Sequence, residues 1–177
     1  DDVGGLIGTI YSVKGVSVSA FNCTNSGSVH ANDYIGGFIG SVRNSPNCEF
    51  IISNGANNGS TTGRGAVGGF VGCFYKNANS TFATANITNQ GLMEGTGGQV
   101  GGLIGLLHDN ENMNVNITNS ENAASISGET QICGFIGRIY SSFQSSLTLE
   151  ITNSINKGTI FASNDACGMF YVDTKCN

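Results

Sequence analysis

"VGGLIG", at residues 3–8, is the stretch that decides the fold, because near-copies of it recur along the whole chain. The copies are "IGGFIG" from Ile35, "VGGFVG" from Val67, "VGGLIG" from Val100 and "ICGFIG" from Ile132, followed by a degenerate "ACGMFY" from Ala166. Successive copies begin 32 to 34 residues apart. Self-similarity at a fixed period of this length is the signature of a repeat architecture.

Each repeat also carries a stretch in which apolar and polar residues alternate. These stretches are residues 16–20, 48–52, 80–84, 113–117 and 147–151, and the clearest is "MNVNI" from Met113. A period of two predicts a β-strand with one buried face. No segment shows the helical spacing of apolar residues over ten residues, so the sequence favours strands throughout.

An Asn-x-x-Asn-x-Gly segment follows each alternating stretch, beginning at Asn22, Asn54, Asn86, Asn119 and Asn153. The fourth copy has Ala124 in place of the glycine. Asn and Gly tolerate the backbone of tight bends, and equivalent Asn side chains in stacked repeats can form hydrogen-bonded amide ladders.

A unit of about 32 residues cannot bury its apolar face alone, whereas stacked units can. We therefore predict an all-β protein, a parallel β-solenoid of about five and a half coils that forms a single domain over residues 1–177. Propeller blades are longer, and a β-sandwich does not require near-identical phrases at a fixed spacing.

Composition restricts the function. Charged residues are only 11% of the chain, and its net charge is −5 with seven Lys and Arg residues. Such a chain has no basic patch for nucleic acid, and no apolar run is long enough for a membrane span. The six cysteines are compatible with an oxidising compartment.

The [VI]-G-G-[LF]-[IV]-G phrase with its N-x-x-N-x-G-x-[VI] partner resembles the GLUG-type repeats of large secreted surface proteins and adhesins. The resemblance extends from Val3 to Tyr171 and implies an extracellular, repetitive and non-catalytic segment. The chain departs from that pattern at Cys133 and Cys167, where Cys replaces the first Gly of the pair.

Neither catalysis nor a cofactor is expected. The two histidines, His30 and His108, occupy different phases of the repeat and are interpreted as solvated loop residues. Asp109 and Glu111 are the nearest approach to a carboxylate pair, and a solvated turn explains them. The Gly-Gly pairs lack the Asp of calcium-binding rolls, and the outward strand positions form no Thr array of the kind that binds ice.

Five sequons are candidate glycosylation sites: Asn22, Asn58, Asn79, Asn86 and Asn116. Chance alone gives about this number in so Asn-rich a chain. Asn22 and Asn86 open the bend motif, where a ladder would occupy their amides. Asn58, Asn79 and Asn116 are therefore favoured if the source is a eukaryote.

Cys133 and Cys167 occupy the same position of adjacent repeats, 34 residues apart. Stacked equivalents lie about 4.8 Å apart, which is within the range of a disulfide. We predict a bridge between them. Cys48 stands at an inward strand position. A buried free thiol is as good an interpretation of this residue as a disulfide.

The repeated phrase contains two adjacent apolar columns, of which one comprises Leu6, Phe38, Phe70, Leu103 and Phe135. Adjacent strand residues point to opposite faces. This column is therefore a candidate assembly stripe if it faces outward. Alternatively, a bulge at the glycine pair turns it inward, or a loop covers it.

The repeat begins at residue 3 and its sixth copy is partial, so we expect incomplete ends that belong to a longer solenoid or contact other copies. The leading hypothesis is a secreted structural protein of the cell surface, a building block of a fibre, filament or adhesin stalk assembling end to end. The alternative is an adhesin module that binds carbohydrate or a host or cell surface, and a solenoid polysaccharide-active enzyme is the third possibility.

Overall fold

The computed structural model describes residues 1–142 and 146–174, and in this part of the chain all regular structure is strand. Its 27 strands form five parallel sheets, and each circuit of about 32 residues adds one strand to each sheet. The predicted parallel β-solenoid is confirmed.

The first three coils have the same five-strand order. The first contains β1 (Asp2–Gly4), β2 (Ile7–Tyr11), β3 (Ser17–Phe21), β4 (Thr24–Asn25) and β5 (Val29–Ala31). The second contains β6 (Tyr34–Gly36), β7 (Ile39–Arg43), β8 (Glu49–Ser53), β9 (Ala56–Asn57) and β10 (Thr61–Gly63). The third contains β11 (Ala66–Gly68), β12 (Val71–Tyr75), β13 (Thr81–Ala85), β14 (Thr88–Asn89) and β15 (Met93–Gly95).

The remaining coils continue this order. The fourth contains β16 (Val100–Gly101), β17 (Ile104–His108), β18 (Met113–Thr118), β19 (Glu121–Asn122) and β20 (Ile126–Gly128). The fifth contains β21 (Ile132–Cys133), β22 (Ile136–Ser141), β23 (Leu147–Thr152), β24 (Ile155–Asn156) and β25 (Ile160–Ala162). The sixth contributes β26 (Ala166–Cys167) and β27 (Phe170–Thr174).

We number the sheets 1 to 5 by the strands of the first coil, so that sheet 1 contains β1 and sheet 5 contains β5. Sheets 1 and 2 have six strands and sheets 3, 4 and 5 have five. Equivalent residues of neighbouring coils pair directly, as Val67 pairs with Ile35 on one side and Val100 on the other. This register stacks each column of the repeat parallel to the solenoid axis.

The glycines of the repeated phrase allow three close backbone approaches. A Cβ at Gly68 would collide with the carbonyl of Val71 in the same tight turn. A Cβ at Gly69 would collide with the carbonyl of Gly102 in the next coil. A Cβ at Gly72 would lie 2.6 Å from the backbone nitrogen of Ile35, because sheet 2 packs directly on the backbone of sheet 1. The second and fourth coils repeat all three contacts, and the fifth, in which Cys133 replaces the first glycine, repeats the other two.

The main core lies between sheets 2 and 3. The alternating stretches bury the predicted faces, for example Phe50 and Ile52 of β8 and Phe82 of β13. The rings of Phe74 and Phe82 lie 4.9 Å apart across this core. A second apolar cluster, which includes Val67 and Met93, fills the space between sheets 1 and 5.

The hypothesis that this apolar column forms an outward-facing assembly stripe is wrong. Phe38, Phe70, Leu103 and Phe135 are at most 1% exposed and belong to the main core. They lie in the turn between sheets 1 and 2, where strand alternation does not apply. The N–H groups of Phe38 and Ile39 both donate to the carbonyl of Phe70, at 3.0 and 2.9 Å, and this bulge-like geometry turns both side chains inward. Only Leu6 is exposed, at 48%, because it lies in the outermost coil.

The second Asn of each bend motif forms a buried amide ladder through the stack. The amide nitrogen of each Asn donates to the amide oxygen of the next at 2.7–3.0 Å. The members are Asn25, Asn57, Asn89 and Asn122, which are buried, and Asn156, which is half-buried. Part of a second, exposed ladder joins Asn22, Asn54 and Asn86, the first Asn of the motif. The predicted stacking of Asn side chains is confirmed.

Both end coils present apolar side chains to solvent. At one end these are Leu6, Tyr11, Val16 and Phe21, and at the other Ile155, Phe161, Phe170 and Val172. The second end has a step, because sheets 1 and 2 extend one strand beyond the other three. A depression of about 570 Å³ occupies the step and is lined mainly by Leu147, Leu149, Ile151, Met169 and Phe170.

Candidate binding ladder on sheet 2

A column of aromatic and cationic side chains lies on the surface, at or next to the C-terminal ends of the strands of sheet 2. It comprises Tyr11, Arg43, Tyr75, His108 and Tyr140, which pair in register from one strand to the next. We call this column the ladder. With neighbours about 4.8 Å apart, its five members span roughly 19 Å.

The side chains of the ladder contact one another in two groups, Tyr11 with Arg43 and His108 with the tyrosines on either side of it. The guanidinium of Arg43 lies 5.5 Å from the ring centroid of Tyr11. The His108 ring lies 4.8 Å from that of Tyr75 and 4.7 Å from that of Tyr140, and it meets Tyr140 edge to face. Distances and tilts of this kind are the favoured geometry of aromatic and cation–π pairs. Each of the two groups is therefore held in place by its own contacts.

Each arginine at the ladder is matched by a carboxylate. Arg43 Nη2 lies 2.7 Å from Asp2 Oδ2, and Arg138, whose guanidinium lies over the Tyr140 ring, pairs with Asp173. Asp2 also accepts a hydrogen bond from Ser41. These pairs fix the planar guanidinium groups and cancel their charge locally.

The remaining charges on this face also balance. Lys76 Nζ lies 5.0 Å from the Tyr75 ring centroid, and the carboxylate of Asp109 lies 3.4 Å from His108 Nε2. Burial is the main cause that lowers the pKa of His108, so the imidazole is neutral at pH 7. Burial alone would raise the pKa of Asp109, but hydrogen bonds from Ser142 outweigh it and lower that pKa. Donors and acceptors are thus mixed on a surface of no net charge.

A small buried cluster supports the ladder from below. It contains Ala66, Cys73 and Leu106, and the rings of Tyr34, Tyr75 and Tyr140 pack on it. Burial raises the pKa of the Cys73 thiol and also that of Tyr34. Cys73 is consequently a neutral packing residue.

A second polar column runs beside the ladder, one residue further along the chain. We call it the corner column, and it comprises Ser12, Asn44, Lys76 and Asp109. All four have φ between 50° and 54°, so the chain turns sharply after each ladder residue. The ladder and the corner column form a strip two side chains wide.

Sequence reasoning missed the ladder, although its members share one offset from the start of the repeated phrase. The prediction that His108 is a solvated loop residue is wrong, because His108 ends β17 between two tyrosine rings. His30 also lies in a strand, β5, where it is exposed and its Nδ1 lies 2.9 Å from Thr62 Oγ1. Aligning the repeats by position would have revealed the column.

The glycosylation candidates lie on the outer surface of the solenoid, and their occupancy stays a prediction. Asn58 and Asn79 are exposed, and Asn116 is half-buried on the outer face of sheet 3. Asn22 and Asn86 belong to the exposed ladder, in which Asn86 Nδ2 donates to Asn54 at 3.1 Å. The amide nitrogen of Asn86, to which a glycan would be attached, is thus already hydrogen-bonded, as the sequence indicated.

Cys133 and Cys167 form the predicted disulfide, with Cα atoms 4.6 Å apart. They pair directly in sheet 1 and so connect the fifth coil to the sixth. Cys23, Cys48 and Cys73 are free thiols, and Cys48 and Cys73 are buried. A disulfide of this kind is typical of oxidising compartments.

Reduction of the disulfide is expected to lower the free energy of unfolding by about 2–4 kcal/mol, because it closes a loop of 34 residues. Chemical denaturation with and without reductant measures the change. The double variant Cys133→Ala/Cys167→Ala should show the same loss and no further response to reductant. Equal stability of the oxidised and reduced protein would contradict the prediction.

Comparison with known proteins gives no relative. No protein-family model matches the chain, and neither the curated proteins nor the solved structures contain a significant match. Over residues 1–142 and 146–174, no three His, Cys, Asp or Glu side chains come together as a group that could hold a metal ion. The same part of the chain contains no helix that could cross a membrane.

Proposed function

We propose that this protein is a structural rod of the extracellular surface, an element of a fibre, filament or adhesin stalk, and not an enzyme. The observation that carries the proposal is the unbroken buried Asn ladder, which joins the first five coils through side-chain amides in addition to the backbone sheets. Each bond of the ladder strengthens the contact between neighbouring coils, and the stability of a solenoid is the sum of the stabilities of its repeats and of these contacts.

Three further features support an extracellular location. The disulfide between Cys133 and Cys167 persists in oxidising surroundings. Charged side chains are few, so the surface is covered largely by neutral amides and hydroxyls. The similarity of the repeats to GLUG-type segments of secreted surface proteins fits the same location.

We further propose that copies of the chain associate through their end faces. Each end combines unpaired strand edges with exposed apolar side chains, such as Leu6 at one end and Phe170 at the other. Edges of this kind are templates for pairing with another chain, and head-to-tail contact that does not close produces a filament. The step at the second end restricts the contact, because β27 would meet the next copy before β23 does.

The expected result is that rods lengthen with protein concentration in steps of about 25 Å, the length of one stack. Small-angle scattering and negative-stain microscopy of the whole chain measure the length. Leu6→Glu places a charge in the end face and should leave single rods, whereas Asn114→Glu places the same charge on a side face and should not change assembly. Single rods of the unaltered chain at every concentration would refute end-to-end association.

A further inference from the structure

We infer that the ladder and the corner column form a binding strip for a neutral linear glycan, laid parallel to the solenoid axis. This is a second function and does not depend on the structural role proposed above. Four observations on the described residues carry it: the chemistry of the strip, its charge balance, its shape and its rigidity.

The chemistry of the strip matches that of a sugar chain. Sugars present hydroxyl groups at the ring edge, which donate and accept hydrogen bonds, and C–H groups on the ring faces. The strip offers guanidinium, ammonium and phenol donors together with the Asp109 carboxylate as acceptor. It also offers the half-buried rings of Tyr75 and Tyr140, whose neighbours leave part of each ring at the surface, and the ring of Tyr11, which is 57% exposed.

The charge balance favours a neutral chain over a polyanion. Arg43 and Arg138 are already paired with Asp2 and Asp173. Lys76 is offset by Asp109, and the lowered pKa of His108 keeps its ring uncharged at pH 7. An acidic polymer would meet these carboxylates and a chain of net charge −5.

The shape of the strip fits a linear polymer better than a folded protein partner. The strip is two side chains wide through the first four coils, and the ladder alone continues into the fifth at Tyr140. A stable protein interface needs about 800 Å² on each side and a desolvated apolar centre. The coil spacing of about 4.8 Å is close to the length of one sugar ring, so successive sugars would meet equivalent positions of successive coils.

The rigidity of the strip lowers the cost of binding. The Tyr75, His108 and Tyr140 rings contact one another, and a buried cluster that includes Cys73 supports them. From Arg43 to Tyr140 the ladder residues lie in strands that pair on both sides, whereas Tyr11 lies in the edge strand and pairs on one side. Side chains that are already ordered lose little entropy on binding.

The test is calorimetric titration of the whole chain with neutral β-1,4-linked oligosaccharides of glucose, xylose, mannose and N-acetylglucosamine, and with heparin and polygalacturonate as acidic probes. We expect at least one neutral series to bind, with affinity that rises with chain length and levels off at about five sugars, because the ladder has five positions. Binding should change little with salt concentration, since no net charge is neutralised.

Three variants locate the site. Tyr75→Thr should raise Kd about tenfold through loss of the ring contact. Lys76→Asn should raise Kd about threefold. The latter cannot disturb the core, since Lys76 is exposed and Asn occupies the equivalent position 44. Phe161→Thr removes an aromatic side chain that is 65% exposed but lies on sheet 5, and it should leave Kd unchanged.

Four outcomes would overturn the inference. These are the absence of binding to every neutral series, a preference for heparin or polygalacturonate, equal Kd values for the unaltered chain and both strip variants, and self-association that Tyr75→Thr abolishes. The last outcome would assign the strip to a protein contact.

Discussion

Replacement of Asn89 by leucine is expected to lower the free energy of unfolding by about 5 kcal/mol. Asn89 is fully buried and lies in the middle of the inner Asn ladder. Its amide accepts a hydrogen bond from Asn57 at 2.9 Å and donates to Asn122 at 3.0 Å and to the carbonyl of Gly102 at 2.8 Å. Leucine has a similar size and removes all three hydrogen bonds, at about 1–3 kcal/mol each.

Urea denaturation followed by circular dichroism measures this change. The matched control is Asn86→Gly, which removes an exposed ladder amide from the same bend while glycine tolerates the φ of 55° at that position. It should cost about 1 kcal/mol or less. Similar losses for the two variants would show that the buried ladder has no special weight in stability.

Asn89→Asp separates the loss of hydrogen bonding from the loss of packing. An ionised Asp cannot donate to Asn122 or Gly102, whereas the protonated form recovers one donor. Burial raises the pKa of such a carboxyl in the folded state above its unfolded value of about 3.9. The folded state then binds more protons than the unfolded state, so the variant should gain stability as the pH falls from 7 to 5.

The strands could be predicted well from the sequence, because each repeat carries the same alternation of apolar and polar residues. The alternation in "MNVNI" from Met113 corresponds to β18, in which Met113, Val115 and Ile117 are buried. The copy at residues 80–84 has only one apolar residue, Phe82, at its three inward positions, yet Ser80 and Thr84 are buried with it. The coil context therefore imposed the strand where the local apolar signal was poor.

Two features could not be predicted from the alternation of apolar and polar residues, because they depend on the three-dimensional path of the chain. Phe38 and Ile39 are adjacent and both face the core, because the turn at the glycine pair changes the direction of the chain between them and sheet 1. The ladder at sheet 2 was missed for a different reason. Its tyrosines, arginine and histidine differ in type, so no common motif marks the column, and only the parallel pairing brings Arg43 beside Tyr75.

The inner and outer Asn columns also could not be distinguished from the sequence. Both residues of the Asn-x-x-Asn motif are asparagine, and the sequence predicted amide stacking without distinguishing a buried position from an exposed one. The structure places Asn54 outside, with a positive φ, and Asn57 inside, at zero exposure. Identical residue types therefore differ in their expected contribution to stability.

Replacement of Gly69 by alanine is expected to lower the free energy of unfolding by about 4–5 kcal/mol. The new Cβ would collide with the carbonyl oxygen of Gly102 and would lie 2.6 Å from Cγ and Nδ2 of Asn89. Because the first obstacle is backbone, the coils must move apart, and overpacking of this kind costs about 1–3 kcal/mol or more. The movement also strains the hydrogen bonds of Asn89, which adds a loss of about 1–3 kcal/mol.

Gly168→Ala is the matched control, because Gly168 occupies the same column as Gly69 and Gly102. In the described part of the chain, a Cβ at Gly168 has no atom within 4 Å, since Gly168 lies in the outermost coil. Both variants make the same change to the unfolded chain, so their difference measures the cost of contact between coils. Denaturation midpoints that fall equally in both would show that the glycine column is required for its backbone conformation and not for the close stacking of coils.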